Sequence, residues 1–214
     1  MKRLLILAVL GAATMVMTAQ KIRYVTPNGS GNGTLSWSNA SNDLQEMINQ
    51  SNSGDEIWVA EGIYAPDKKS NEIDVQVNAG IKTFARDNAF VLKRGVKVYG
   101  GFEGNETILT ARDWKKHETI LNGKQSYCHV VISADNSEDE FGNNACLDGF
   151  IIENGFTLSA DPDPTTYGII IVNNQVIDRK YGGGIAIYNS SPLLMNLVIR
   201  NNSGVEGAGI YMHS

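Results

Sequence analysis

The chain has 214 residues, a length that suits one domain with a sizeable core. Its formal charge of −5 gives no basic footprint for nucleic acid, so a nucleic-acid partner is excluded from the expectations. Hydrophobic residues at 42% and as many as 22 glycines suit many short strands joined by Gly and Asn corners.

Residues 1–19 read as a secretory signal and not as part of the fold. Lys2 and Arg3 form a positive start, residues 4–10 a short apolar run, and Ala12, Ala13 and Ala19 supply small residues for cleavage. Cleavage near Ala19 leaves 16 basic against 23 acidic residues, a charge of about −7. No cysteine follows the apolar run, which argues against a lipid anchor. No later run approaches the roughly 20 apolar residues needed to cross a bilayer. The expected plan is therefore a signal at 1–19 and one β domain over 20–214, exported to the cell surface, outer membrane or extracellular space.

A short strand near Tyr24 and Val25 opens the domain, and Gly- and Asn-rich turns follow it to residue 40. Leu44, Met47 and Ile48 then fall on one helical stripe. Asn42 is the expected cap, Gln45 its reciprocal partner and Gly54 the stop. Such a helix has a use ahead of a stack of strands, because it covers a strand edge that invites aggregation. Strands are expected at 57–60, 62–64, 90–92, 96–99, 119–121, 129–132, 147–152 and 169–172. Polar excursions at 65–88, 103–118 and 156–168 separate them. Asp161-Pro162-Asp163-Pro164 bars the last excursion from a strand interior.

Near the C-terminus, Gly182-Gly183-Gly184-Ile185 recurs as Gly207-Ala208-Gly209-Ile210. A fixed offset of this size, about 25 residues, is the mark of a solenoid. Strands of about four residues with turns between them exclude a doubly wound α/β fold. The fold expected is all-β, a right-handed parallel β-helix with an N-terminal capping helix. Ile185 and Ile210 should then hold equivalent inward positions in neighbouring strands. Asn174, Asn189, Asn201 and Asn202 read either as stacked, hydrogen-bonded files or as ordinary turn residues. The sequence stops inside a repeat, so the expected domain is C-terminally incomplete, part of a longer surface protein or a truncated gene product.

Two stretches carry a resemblance. Leu44-Gln45-Glu46-Met47-Ile48, with Gly54-Asp55-Glu56-Ile57-Trp58-Val59-Ala60, resembles the cap and first turn of pectate-lyase-like parallel β-helix proteins. Val96-Lys97-Val98-Tyr99-Gly100-Gly101-Phe102, Arg112-Asp113-Trp114 and Thr119-Ile120-Leu121-Asn122-Gly123 are similar to exported bacterial surface proteins of that kind. The Gly-Gly-x-Ile tail resembles the repeats of polymorphic outer-membrane proteins, which are adhesin-like. The resemblance implies either an adhesin or a calcium-dependent polysaccharide lyase, since one scaffold hosts both.

For lyase chemistry the chain offers Arg179 and Arg200 as candidate bases and Asp178 as a candidate acid, with Asp148, Glu153 and Glu206 dispersed around them. No motif marks any of them. Asp135, Glu138, Asp139 and Glu140 form the densest acidic run and are candidate calcium ligands, although a solvated loop explains them too. No other cofactor is expected. His117, His129 and His213 are too scattered for zinc. Cys128 and Cys146 read either as a disulfide of an exported protein or as two small apolar residues packed inside. The function expected is a non-catalytic surface module for adhesion to a glycan or a host cell-surface ligand, with its contacts on the excursions. The alternative is a calcium-dependent polysaccharide lyase or a related glycan-active enzyme.

Overall fold

A computed structural model describes residues 20–73, 83–135, 145–157 and 168–214. The signal segment and Glu138, Asp139 and Glu140 lie outside the described residues.

The strands are β1 (Ile22–Val25), β2 (Glu56–Ala60), β3 (Gly62–Tyr64), β4 (Phe90–Leu92) and β5 (Lys97–Phe102). They continue as β6 (Thr119–Asn122), β7 (Val131–Ala134), β8 (Cys146–Asp148), β9 (Ile151–Glu153) and β10 (Ile169–Val172). The last are β11 (Gln175–Asp178), β12 (Ile185–Tyr188), β13 (Leu193–Met195), β14 (Val198–Arg200) and β15 (Ile210–His213). Among the described residues one α-helix, α1 (Leu44–Gln50), sits between β1 and β2, preceded by a short 3-10 turn at Trp37–Asn39.

Three sheets are wholly parallel. The first has the order β1-β2-β5-β8-β13, the second β14-β9-β6-β3 and the third β15-β12-β7-β4. Successive strands pass from the first sheet to the second and the third, then return to the first. β10 and β11 form a separate antiparallel hairpin. Its two-residue turn, Asn173-Asn174, has positive φ at both positions (49° and 60°), the twist a tight hairpin requires.

The expected right-handed parallel β-helix is corrected by this arrangement. The described strands make small, discrete sheets, none curled or closed, and one sheet is antiparallel. The physical reason lies in the spacing. The offset of the Gly-x-Gly-Ile repeat holds for Ile185 and Ile210, which do pair in register. Elsewhere Val131 pairs with Ile185, Ile63 with Ile120 and Ile120 with Ile151, each pair at a different and wider separation along the chain. One local repeat thus stood for a period that the rest of the chain does not keep. Ile185 is fully buried, but Ile210 is 42% exposed, because β15 is the outermost strand of its sheet.

The parallel sheets share one apolar core. Ile57, Val98 and Leu147 come from the first, Tyr64, Leu121 and Ile152 from the second, and Phe90, Val131 and Ile185 from the third. The third sheet is buried on its other face as well. Val91, Ile132, Ala186 and Tyr188 pack there against Ile170, Val172 and Ile177 of the hairpin region and against Ile73. Two buried faces explain why β12 reads Ile-Ala-Ile-Tyr and not as an apolar–polar alternation.

Helix α1 adds Leu44, Met47 and Ile48 to the core. Its cap is Asp43, whose carboxylate accepts from Glu46 N at 2.9 Å; the expected cap, Asn42, lies one residue too early. Gln45 does not return the bond to the cap. It turns inward, and its Oε1 accepts from Val91 N on β4, the outermost strand of the third sheet, at 2.9 Å. The helix therefore quiets a strand edge with a side chain as well as by covering it. At its other end Arg23 donates to the Gln50 carbonyl (2.6 Å) and to Ser51 Oγ (3.0 Å), placing a cation where helix carbonyls are unpaired. The helix stops at Ser51, before Gly54.

Of the four corner asparagines, Asn174, Asn189 and Asn201 take positive φ and act as turn residues. Asn202 instead links strands, accepting from Gly155 N at 2.8 Å and donating to Ile152 O at 3.0 Å.

Gln45→Ala should leave Val91 N buried without a partner and cost about 1–3 kcal/mol, read as a lower urea midpoint at unchanged m-value.

Candidate contact face

The outer faces of the three sheets differ in what covers them. On the third sheet it is the hairpin. On the first it is an aromatic layer of Trp58, Tyr99 and Phe102, joined by Tyr24, Trp37 and Leu109. The Trp58 and Phe102 rings stack with centroids 4.8 Å apart. Arg112 pins the 103–118 excursion onto this layer. It donates to the Gly100 carbonyl (2.8 Å) and to Asp148 Oδ2 (2.5 Å), and its guanidinium lies 5.2 Å from the Tyr99 ring centre. Asn196 takes the other Asp148 oxygen at 2.7 Å. Trp37 Nε1 donates to the Glu106 carbonyl at 2.9 Å. This excursion, expected to display a binding loop, is a cover locked to the sheet.

Among the described residues no second apolar cluster covers the outer face of the second sheet. Its strands are short and in register, so alternate residues line up into rows. The first outward row is Ile63, Ile120, Ile151 and Val198. Its ends face solvent, Ile63 at 62% exposed and Val198 at 42%, while Ile151 within the row is buried. The result is an apolar stripe across four strands. The second outward row closes β6, β9 and β14 and consists of Asn122, Glu153 and Arg200. Neighbours in such a row stand about 4.8 Å apart. Glu153 is its centre: Oε1 accepts from Asn122 Nδ2 at 3.0 Å and Oε2 from Arg200 Nε at 2.8 Å. Just past β3 and β6, exposed Asp67 accepts from Tyr127 Oη (2.6 Å) and Lys124 Nζ (2.9 Å). The Tyr127 hydroxyl first and Lys124 second hold the Asp67 carboxyl below its usual range. Burial, aided by Asp67, pushes the Tyr127 phenol up to about 12. Ahead of the same two strands His117 Nδ1 lies 2.8 Å from Glu61 Oε2.

The candidate bases and acid are not assembled into one centre. Arg200 stands in the row just described. Arg179 is buried and forms a two-pronged pair with Asp87, at 2.8 and 3.0 Å, with its guanidinium 5.2 Å from the Phe84 ring centre. Asp178 closes β11; its Oδ1 accepts from Lys180 N at 2.9 Å, and its own N–H donates to Tyr188 Oη at 3.2 Å. Of the candidate calcium ligands, Asp135 lies 3.7 Å from Arg94 Nε. The other three are outside the described residues. Among the described residues no group of three or more His, Cys, Asp or Glu is placed to hold a metal. Cys128 and Cys146 are both buried thiols. Cys146 packs in the aromatic layer, and burial, with Asp148 nearby, pushes it up to about 11. Among the described residues no helix is long and apolar enough to span a membrane.

Asn122 was not singled out from the sequence, and neither was the apolar row. A signal for them exists. The segments Ile120-Leu121-Asn122-Gly123, Ile151-Ile152-Glu153-Asn154 and Val198-Ile199-Arg200-Asn201 share an apolar-apolar-polar ending before a turn. Their unequal spacing hides the likeness from a search for a fixed period.

His129 is fully buried beside the Asp87–Arg179 pair. Its Nδ1 faces the Gly182 carbonyl at 3.0 Å, so that nitrogen carries the proton. Its Nε2 has no hydrogen-bond partner among the described residues. Burial drives its pKa below the ordinary value, outweighing the Gly182 carbonyl, Asp87 and Asp178, and Arg179 pushes the same way as burial.

Comparison with family models, with curated proteins and with solved structures finds no match to this chain.

His129 stays neutral in the fold while the unfolded chain takes a proton near pH 6.5. Its contribution to stability is therefore present above about pH 6.5 and lost as pH falls toward the depressed native value. Urea midpoints between pH 7.5 and 5.5 should fall for the native sequence and change less for His129→Gln.

Proposed function

We propose that this chain is an exported cell-surface module that contacts a glycan through the outer face of its second sheet, without breaking bonds. The observation that carries the reading is the pair of rows on that face. Ile63, Ile120 and Val198, with buried Ile151 in line between them, offer an apolar row suited to the C–H face of sugar rings. Asn122 and Arg200 offer amide and guanidinium groups beside it, fixed in direction by the buried Glu153 between them. A mostly apolar surface with a few placed polar groups is the usual makeup of a small-molecule site. The chain's net negative charge favours neutral over anionic glycans. Export rests on the charged start, apolar run and small residues of positions 2–19. The non-catalytic part rests on the engagement of both candidate bases by carboxylates, Arg179 by Asp87 and Arg200 by Glu153. A guanidinium so held serves position, not proton abstraction.

The test is a glycan array probed with the protein beginning at Gln20, followed by titration of the best neutral binder. Saturable binding is expected, and Arg200→Ala should weaken it about tenfold, roughly 1.4 kcal/mol, at unchanged fold. Incubation with acidic polysaccharides and calcium should give no ultraviolet absorbance of unsaturated product. Product that vanishes on chelation would overturn the reading in favour of the lyase, as would loss of product in Arg179→Ala or Arg200→Ala.

A further inference from the structure

The apolar row on the second sheet begins with Ile63 on β3, and β3 is the outermost strand of that sheet. The sheet does not continue past it. The segment ahead of α1 takes the next place, and a Cβ added to Gly62 would run into the Pro27 ring. Backbone bonds hold this segment: Thr26 N donates to the Ser41 carbonyl at 2.9 Å and Gly29 N to the Thr26 carbonyl at 3.1 Å. Asp43 fixes its far end by capping α1.

Beside that contact, among this segment, the end of β3 and the start of β4, is a cavity of about 280 Å³. Drug-sized ligands take roughly 300–1,000 Å³, so a space of this size suits a single ring. Its apolar lining includes Pro27, Ile63, Tyr64 and Phe90. Ile63 belongs to the row and to the cavity, so the two are continuous. Its polar lining includes Asn42, Asp67 and Lys68. Asn42 is displaced from capping by Asp43, and neither its side chain nor that of Lys68 has a hydrogen-bond partner among the described residues. Asp67 Oδ1 takes Tyr127 and Lys124, whereas Oδ2 takes Lys124 alone, at 3.0 Å. The cavity thus presents an amide that donates and accepts, an ammonium that donates and a carboxylate oxygen with room for another donor. Hydroxyls of a sugar ring both donate and accept, and this set serves both roles. Asp43 and Asp67 balance Lys68 and the Lys124 that pairs with Asp67, which suits a neutral ring.

We infer that this cavity takes the terminal sugar of a neutral glycan, so that the protein reads the end of a chain and not its middle. The inference rests on the glycan reading above and adds which part of the glycan is read. The end ring places its hydroxyls on Asn42, Asp67 and Lys68, and the rings that follow lie along Ile63 and Ile120. A ring within a chain carries a linkage on both sides, and the Pro27 side of the cavity leaves no path for the second one.

The probes are linear oligosaccharides of glucose, of mannose and of galactose, each as the free sugar, the hexamer and a long soluble polymer. Each is titrated by calorimetry against the protein beginning at Gln20. One hexamer is expected to bind saturably, with the free sugar of its series competing more weakly. The matching polymer should compete at least tenfold worse than the hexamer at equal mass, because it has fewer ends. Asn42→Ala and Lys68→Ala should each weaken the hexamer at least fivefold and remove competition by the free sugar, at an unchanged urea midpoint. Equal competition by polymer and hexamer at equal mass would overturn the inference. So would a hexamer that Arg200→Ala weakens and both cavity variants leave unchanged, although contact along the rows would then stand. Binding to none of the three series would overturn it whatever the array shows. A lower midpoint in either cavity variant would give that side chain a task within the fold and refute its assignment to the sugar.

Discussion

Parallel pairing aligns the inward residues of three sheets on one apolar core, and the rest of the molecule follows from that alignment. Leu121 sits between Tyr64 and Ile152, and Val98 between Ile57 and Leu147. Side chains alternate along a strand, so placing Leu121 inward places Ile120 and Asn122 outward. A slip of one residue would bring Asn122, Glu153 and Arg200 into the core and expel Leu121, Ile152 and Ile199. The cost of burying three polar side chains and losing three apolar ones makes that register unavailable. The outward rows are thus held in place by the core on their far side, although they contribute little to it themselves.

Polar groups enter the interior where a non-strand segment meets a sheet. Gln45 meets β4, Arg23 meets the end of α1, and Asp87 meets Arg179 from a distant part of the chain. Each satisfies a group that would otherwise be stranded. The Asp87–Arg179 pair is the most exacting of these, because removing one member would leave a charge in a dry place. His129 beside it is tolerated only without charge. Apolar cover and polar stitching are divided between the faces: the hairpin and the aromatic layer bury area, and these few bonds fix where they sit.

Much of the strand content was legible in the sequence, since short β-branched runs between Gly and Asn corners have few other uses. Ile57 to Val59, Phe90 to Leu92 and Val131 to Ile132 needed nothing more. The helix was legible from Leu44, Met47 and Ile48, but its cap was not, because Asn42 and Asp43 are both competent and only geometry selects the carboxylate. The architecture was over-read. A single close repeat suggested a uniform winding, whereas partners elsewhere stand at several wider separations and excursions of unequal length intervene. The hairpin strand β11 was missed, as Gln175-Val176-Ile177-Asp178 follows an Asn-Asn pair that reads equally well as a loop. Of the candidate site, Arg200 was visible as a residue but not as a member of a row. The row exists only through pairing between distant segments, which no local pattern encodes.

The wide spread of those pairings also bears on how quickly the chain reaches its fold. The β10–β11 hairpin closes through Asn173 and Asn174 alone and belongs to the microsecond events. Ile63 must find Ile120, with all of β4 and β5 between them, before the second sheet can begin. Closing so long a loop is rewarded only after many contacts form together. An early hairpin would meanwhile wait with Ile170, Val172 and Ile177 exposed, until β7 and β12 supplied the surface they cover. Assembly of this chain is therefore a race between slow sheet closure and premature association of a hairpin whose apolar face is ready first.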